Sequence, residues 1–300
     1  MKTAANKKAV CTQCNGNHYI LANQKGFLKA APCACHHCEQ CNGSGKVYSE
    51  NDKGIAFVRA CGCAALKKRL DLLSDAGIPA KFISATLDSY ETQDRVHHLS
   101  QNRAKTLAVD FVKDFGKSNR GLVFMGGPGL GKTHLAVAII RSLILEKGAD
   151  CKFVDFFQLL SDIRHGYSRD LSELEIINPY VKSRVLVIDE LAKGRNTEWE
   201  LTILDQIISN RYNAADRITL FTTNYLTAIS PGKKPDSSSS QDGRSHRVET
   251  DSQSYLNMLT RETLPDRIGP RIFSRLAEIC HFVPMEGKDS RQFLAQVKAK

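Results

Sequence analysis

"GLVFMGGPGLGKTHLAVAIIRSLI", residues 121–144, decides the fold. Leu122–Met125 is a short unbroken apolar run, which predicts a buried strand. Gly126–Thr133 follows the pattern G-x-x-x-x-G-K-[ST], and "HLAVAIIRSLI" behind it has apolar residues at helical spacing. Strand, glycine loop and helix thus come in the order that a phosphate-binding loop requires. Gly126, Gly127, Pro128, Gly129, Leu130 and Gly131 form the loop whose backbone N–H groups cradle the phosphates. Lys132 is expected to reach the β- and γ-phosphates, and Thr133 to offer its hydroxyl to Mg²⁺. The ligand expected here is ATP.

Downstream, "SRVLVIDELAKG" carries another continuous apolar run, Val185–Ile188, read as a central parallel strand. It ends at Asp189 and Glu190. Asp189 suits the Mg²⁺ sphere, and Glu190 suits polarising the attacking water. The plainer reading, a carboxylate pair capping the next turn, is weak beside the upstream loop. "RITLFTTNYL" predicts a third strand with Asn224 just past it, placed to hold the lytic water near the γ-phosphate. "CKFVDFFQLL" reads as a strand passing into a helix, and "TEWELTILDQIISNRY" as a further helix in which Trp199 packs. The fold class is α/β, a parallel sheet between layers of helices.

Eight of the ten cysteines lie before residue 64: Cys11, Cys14, Cys33, Cys35, Cys38, Cys41, Cys61 and Cys63. Cys151 and Cys280 stand apart and read as small buried apolar residues. Disulfides fit poorly with a chain that shows no secretion signal. A redox C-x-x-C would need a strand before it and a helix after it, whereas "CTQCNGNHY" turns at Asn-Gly. Cysteine pairs on glycine turns suit tetrahedral thiolate coordination, so eight ligands predict two four-cysteine zinc sites, with iron–sulfur the lesser alternative. His36 and His37 lie between the ligands and are substitutes for one of them; His18 reads as a turn residue. The module is expected to be small, irregular or β, and to depend on its metals for folding.

"CTQCNGN" at 11–17 and "CEQCNGSG" at 38–45 are alike, and the second fits C-x-x-C-x-G-x-G. This resembles the zinc-binding region of DnaJ-type chaperones, where alternate cysteine pairs share a metal. The resemblance implies Cys11 and Cys14 with Cys38 and Cys41, and Cys33 and Cys35 with Cys61 and Cys63. The chain departs from that pattern in its two C-x-C pairs.

The 300 residues carry a formal charge of +10. Residues 1–70 hold eleven Lys/Arg against three Asp/Glu, which points to a polyanionic partner, most often nucleic acid. Two zinc ions on eight thiolates reduce that surplus to about +4, so charge alone is only suggestive. No run approaches the roughly 18 apolar residues of a membrane span. "MKTAANKKAV" has no apolar region behind it, and a cytoplasmic protein is expected.

With these motifs in place, the chain resembles the DnaC-type helicase-loader ATPases, close to the IstB-type transposition ATPases, within AAA+. The resemblance runs over about residues 75–292. It rests on "DAGIPAKFISATLDSY", on "GPGLGKTHLA" with its His134, on "DELAKGRNTEWELTILDQIISNRY", on "TTN", and on "IGPRIFSRLAEICHFVPMEGKDSRQ". The cysteines mark a cysteine-rich zinc-binding module at 1–65, followed by a helical linker and lead-in at 66–90, and the resemblance implies an AAA+ core at 91–300 without a separate C-terminal lid. His134 is carried over with the nucleotide-binding loop. Subunits of this superfamily complete one another's sites, and "PRIFSRL" resembles the arginine-finger region of DnaA-type relatives. Arg271 is then the finger candidate and Arg275 the second, the bland alternative being a surface salt bridge. Arg164, Arg169 and Lys182 are candidates for single-stranded DNA, although a solvated helix face explains them nearly as well.

The implied partners are a replicative hexameric helicase, single-stranded DNA and further copies of this chain. The alternative is an IstB-type regulator that binds duplex DNA and recruits a transposase. A DnaJ-like chaperone fits poorly because no His-Pro-Asp tripeptide is present, and a metabolic phosphate-loop enzyme fits poorly because no substrate-specific pocket is evident. Ser230–Ser254 is too polar to bury a core and is expected to be a mobile loop. "KKRLDLL" at 67–73 is expected to begin a helix that Gly77–Pro79 ends.

Overall fold

The structure, a computed structural model, describes residues 11–36, 38–91, 98–227, 262–287 and 289–290. His37 and the polar segment 230–254 lie outside these residues.

Among the described residues, two antiparallel hairpins come first. The first pairs β1 (Tyr19–Gln24) with β2 (Phe27–Pro32), and the second pairs β3 (Lys46–Glu50) with β4 (Ala56–Ala60). Helix α1 (Gly62–Asp75) follows at once, with Cys61 at its N-cap. It begins five residues before the Lys67 start expected from the sequence, because the second hairpin delivers the chain directly into it.

The larger unit is a five-stranded sheet, parallel throughout, of β5 (Gly121–Met125), β6 (Cys151–Asp155), β7 (Val185–Asp189), β8 (Ile218–Thr223) and β9 (Cys280–Pro284), in the order β6-β7-β8-β5-β9. Its side chains alternate between two cores. Leu122 and Phe124 face α2 (His98–Lys113) and α3 (Lys132–Ser142), whereas Val123 and Met125 face α4 (Phe156–Tyr167), α5 (Glu173–Lys182), α6 (Glu198–Asn213), α7 (Leu264–Ile268) and α8 (Pro270–Ile279). Strands covered on both sides are buried at every position, which is why β5 and most of β7 read as unbroken apolar runs, while β8 interleaves buried threonines with its apolar residues. Among the described residues, side chains cap four helices: Asp155 on α4, and Ser172, Thr197 and Thr263 in reciprocal capping boxes on α5, α6 and α7. Cys151 and Cys280 are buried, as expected. Among the described residues no helical lid follows β9.

The first hairpin is built into the larger unit. Leu28 is fully buried with Leu73 and Ile78, and its N–H donates to the Ile78 carbonyl at 2.8 Å. Lys29 Nζ donates to the Ser74 carbonyl at 2.7 Å. The second hairpin is exposed along β4, and Tyr48 on β3 is 81% exposed.

Candidate functional site: a phosphate loop and two cysteine clusters

β5 runs into the loop Gly126–Gly131, which delivers the chain into α3. Gly131, at φ 81°, is the N-cap of α3, and no side chain caps that helix. Its first N–H groups therefore remain for a ligand, the arrangement that receives a phosphate. Gly129 has φ 71°, and a Cβ there would meet Asp289 Oδ1 at 1.7 Å. Lys132 is buried, and its Nζ donates to the Gly126 and Gly127 carbonyls at 2.8 and 2.6 Å. The ammonium is thus held at the start of the loop.

Strand order brings the remaining polar groups to this loop. Because β8 lies between β7 and β5, the C-terminal ends of all three adjoin. Thr133 Oγ1 donates to Asp189 Oδ1 at 2.8 Å, and Thr222 Oγ1 donates to the same oxygen at 2.5 Å. Burial pushes the Asp189 carboxyl above the usual range, and the two hydroxyls pull it back down. Glu190 has φ 55°, its N–H donates to Thr222 Oγ1 at 3.0 Å, and its carboxylate pairs with Lys193. Asn224 follows β8 directly and is half-buried. A hydroxyl and a carboxylate 2.8 Å apart, beside a lysine on a glycine loop, are the hard-oxygen donors that Mg²⁺ with a nucleotide phosphate takes. Thr133 and Asp189 are the residues that would hold the ion.

Two further segments close on the loop. Tyr90 hydroxyl donates to the Leu130 carbonyl at 2.9 Å, and its ring lies where a Cβ on Gly131 would stand. His134 Nε2 is 2.9 Å from the Thr86 carbonyl, and burial pushes its imidazole below the ordinary range. The structure therefore places His134 against the lead-in segment. From the other side, Ser290 Oγ donates to the Gly129 carbonyl at 2.6 Å. Tyr90, Thr222, Lys193, Asp289 and Ser290 lie in stretches that carry the resemblance, but sequence reasoning gave them no role.

The cysteines form two clusters. Cys11, Cys14, Cys33 and Cys35 make one, and Cys38, Cys41, Cys61 and Cys63 the other, with the sulfurs of each set within 4.8 Å of one another. This corrects the alternating pairing implied by the DnaJ-like resemblance. The reason is the hairpins: β1–β2 returns Cys33 and Cys35 to Cys11 and Cys14, and β3–β4 returns Cys61 and Cys63 to Cys38 and Cys41. Sulfur pairs stand 3.9, 3.3, 3.5 and 3.2 Å apart. A tetrahedral zinc with Zn–S bonds near 2.3 Å would set them about 3.8 Å apart, so both sets fit the ion with small adjustment. The Gly45 N–H points at Cys41 Sγ at 3.3 Å. Neither cluster includes His36, whose ring stands against His18.

The remaining candidates are also placed. Arg275 donates to Asp205 at 2.5 Å and to Ser209 at 2.6 Å, whereas Arg271, 74% exposed, lies 3.5 Å from the same carboxylate. Arg164 pairs with Glu200 and stacks over Trp199. Arg169 and Lys182 are exposed.

Residues 69–228, which contain the glycine loop and both strand ends, match the family described as IstB-like ATP binding protein. The chain belongs to that family. An uncharacterized protein of Bacillus subtilis, YqaM, is 27% identical over 165 residues, 52% of this chain and 51% of the relative. The replicative helicase loader DnaC of Escherichia coli K12 is 30% identical over 131 residues, 43% of this chain and 53% of that protein. The chain thus spans about half the length of the curated relatives it matches. The crystal structure of the DnaC helicase loader superposes with a TM-score of 0.51 at 27% identity, covering 69% of this chain and 99% of that one. This IstB-like protein therefore carries a DnaC/IstB-like AAA+ ATPase module preceded by cysteine clusters able to chelate metal. No helix among its described residues is long and apolar enough to cross a membrane.

Proposed function

We propose that this protein is an ATP-driven helicase loader that acts as an oligomer on single-stranded DNA in the cytoplasm. The observation that carries this is the Thr133–Asp189 contact beside Lys132 on a fold like that of the DnaC loader. The chemistry is transfer of the γ-phosphoryl group to water. Lys132 neutralises phosphate charge, Thr133 and Asp189 hold Mg²⁺, Glu190 orients and polarises the water, and Asn224 holds it in place. Mg²⁺, when bound, withdraws charge from the phosphate oxygens. Glu190 is paired with Lys193 through one carboxylate oxygen, which leaves the other oxygen for the water. Arg271, exposed on α8, serves the site of a neighbouring subunit, and Arg169 and Lys182 face DNA.

Residues 1–65 act as a two-zinc module that grips the helicase, 66–90 as linker and lead-in, and 91–300 as the motor. Purified hexameric helicase on a protein-coated single strand tests this reading. The chain with ATP is expected to raise helicase loading, and Lys132→Ala or Glu190→Gln to abolish it. The match to the IstB-like family favours a second reading, in which the same core binds duplex DNA and delivers a transposase. Tight duplex binding with no effect on helicase loading would select that reading.

A further inference from the structure

Thr222 opens the "TTN" stretch but was given no role there, yet it touches both acids of the site. It is 1% exposed, on β8 two residues before Asn224. Its Oγ1 accepts the Glu190 N–H at 3.0 Å and donates to Asp189 Oδ1 at 2.5 Å. One hydroxyl therefore uses its acceptor and its donor on two adjacent residues, the last of β7 and the one after it.

The geometry at Glu190 shows why this matters. Its φ of 55° lies in the left-handed region, which a side chain occupies only when its surroundings enforce it. β8 supplies three bonds around that turn. Besides the Glu190 N–H to Thr222 Oγ1, the Leu191 N–H donates to the Thr222 carbonyl at 2.8 Å. Thr223 Oγ1 donates to the Leu191 carbonyl at 2.9 Å. Of these, the Thr222 hydroxyl alone also reaches Asp189. It holds the same Asp189 oxygen that Thr133 contacts, and it anchors the backbone N–H of Glu190.

We infer that Thr222 is a positioning residue that sets Asp189 for Mg²⁺ and Glu190 for water through one hydroxyl. This inference rests on the proposed nucleotide site. A valine there keeps the shape, removes the donor and orphans the Glu190 N–H. A serine keeps both bonds.

The test uses the full zinc-loaded chain with Thr222→Val and Thr222→Ser, and reads three quantities. These are affinity for a fluorescent ADP without Mg²⁺, the gain in that affinity on adding Mg²⁺, and single-turnover ATP hydrolysis. Thr222→Val is expected to bind metal-free ADP within about twofold of the parent. It should lose about ten- to a hundredfold in hydrolysis and raise the half-saturating Mg²⁺ concentration several-fold, the range typical of groups that orient metal ligands. Thr222→Ser is expected to recover most of both. Parental hydrolysis and Mg²⁺ response in Thr222→Val would overturn the inference. So would Thr222→Ser failing as badly as Thr222→Val, which would assign the effect to packing. If Thr222→Val does not fold, Thr222→Ala is read in the same three ways, and Thr222→Ser losing hydrolysis tenfold still overturns it. A parent chain that binds Mg-ADP but hydrolyses nothing defeats the proposed activity alone, and the Mg²⁺-dependent affinity continues to judge Thr222.

Discussion

Ser290 Oγ donates to the Gly129 carbonyl at 2.6 Å, a contact that spans 161 residues of sequence and lays the segment after β9 across the crest of the phosphate loop. Asp289 fills the space that a side chain on Gly129 would need. Gly129→Ala adds that clash to a left-handed φ of 71°. It is expected to cost about 2 kcal/mol of stability and to lower nucleotide affinity at least tenfold. Denaturant unfolding and titration with fluorescent ADP check both. Ser290→Ala removes only the bond, and is expected to leave stability within about 1 kcal/mol while speeding nucleotide exchange.

Each cysteine cluster closes the base of one hairpin, so the two metals are expected to be separable. Replacing Cys14 and Cys33 by Ser should leave one zinc per chain, and cadmium-113 spectra should link Cys11 to Cys33 and not to Cys38. The thiols also set a pH dependence. The backbone N–H of Cys14 helps lower Cys11 to about 7, and Cys63 helps lower Cys41 to about 6, whereas hydrogen bonding to Cys41 pushes Cys63 up to about 12. Cys63 must give its proton to solvent when metal binds, so zinc uptake releases protons and acid favours loss. Zinc retention should therefore fall as pH drops, because acid favours the protonated thiols over the metal. A chromogenic zinc chelator read across pH 5–8 measures this; retention unchanged down to pH 5 would refute it.

The two arginines of α8 divide a structural role from an exposed one. Arg275 is locked to Asp205 and Ser209, and Arg275→Ala is expected to cost about 1 to 3 kcal/mol by leaving the half-buried carboxylate short of a partner. Arg271 is mostly exposed, and its ion pair with Asp205 adds little to stability. Arg271→Ala should fold and bind nucleotide as the parent does, yet lose hydrolysis that depends on assembly. Hydrolysis rising with protein concentration as it does for the parent would remove Arg271 from the neighbouring site.

What could be read from the sequence was what is local. Gly126–Thr133, Asp189 and Glu190 stand at the ends of apolar runs, and each run is a strand because burial on both faces demands it. The metal pairing was legible too, in a signal that the chaperone-like glycines masked. C-x₂-C-x₁₈-C-x-C from Cys11 to Cys35 and C-x₂-C-x₁₉-C-x-C from Cys38 to Cys63 are two copies of one unit, each with a hairpin inside. Thr222, Tyr90 and Ser290 could not be read this way. Their roles depend on β8 lying beside β7, on the lead-in packing behind α3, and on the chain returning over the loop after β9. None of these leaves a periodic or spaced mark.

Arg211 is the most consequential residue of this unreadable kind. It lies on α6 at 1% exposure, where a polar helical position would be expected to face water. Its guanidinium donates to six oxygens: the carbonyls of Tyr180, Val181, Ser183 and Ile218, and the hydroxyls of Ser183 and Thr219. Burial pushes its pKa down, but these acceptors favour the cation, and arginine stays charged in proteins. The group ties the end of α5 to the start of β8, and thereby sets the register of β8 against β7 on which Thr222 and Asp189 depend. Arg211→Met fills the volume but orphans several buried carbonyls, and is expected to cost about 3 kcal/mol or more. Arg211→Lys keeps the charge but cannot span both strands and helix end, and should recover less than half of that loss. Urea unfolding of the two variants measures the difference, and a methionine variant as stable as the parent would show that the carbonyls find other partners.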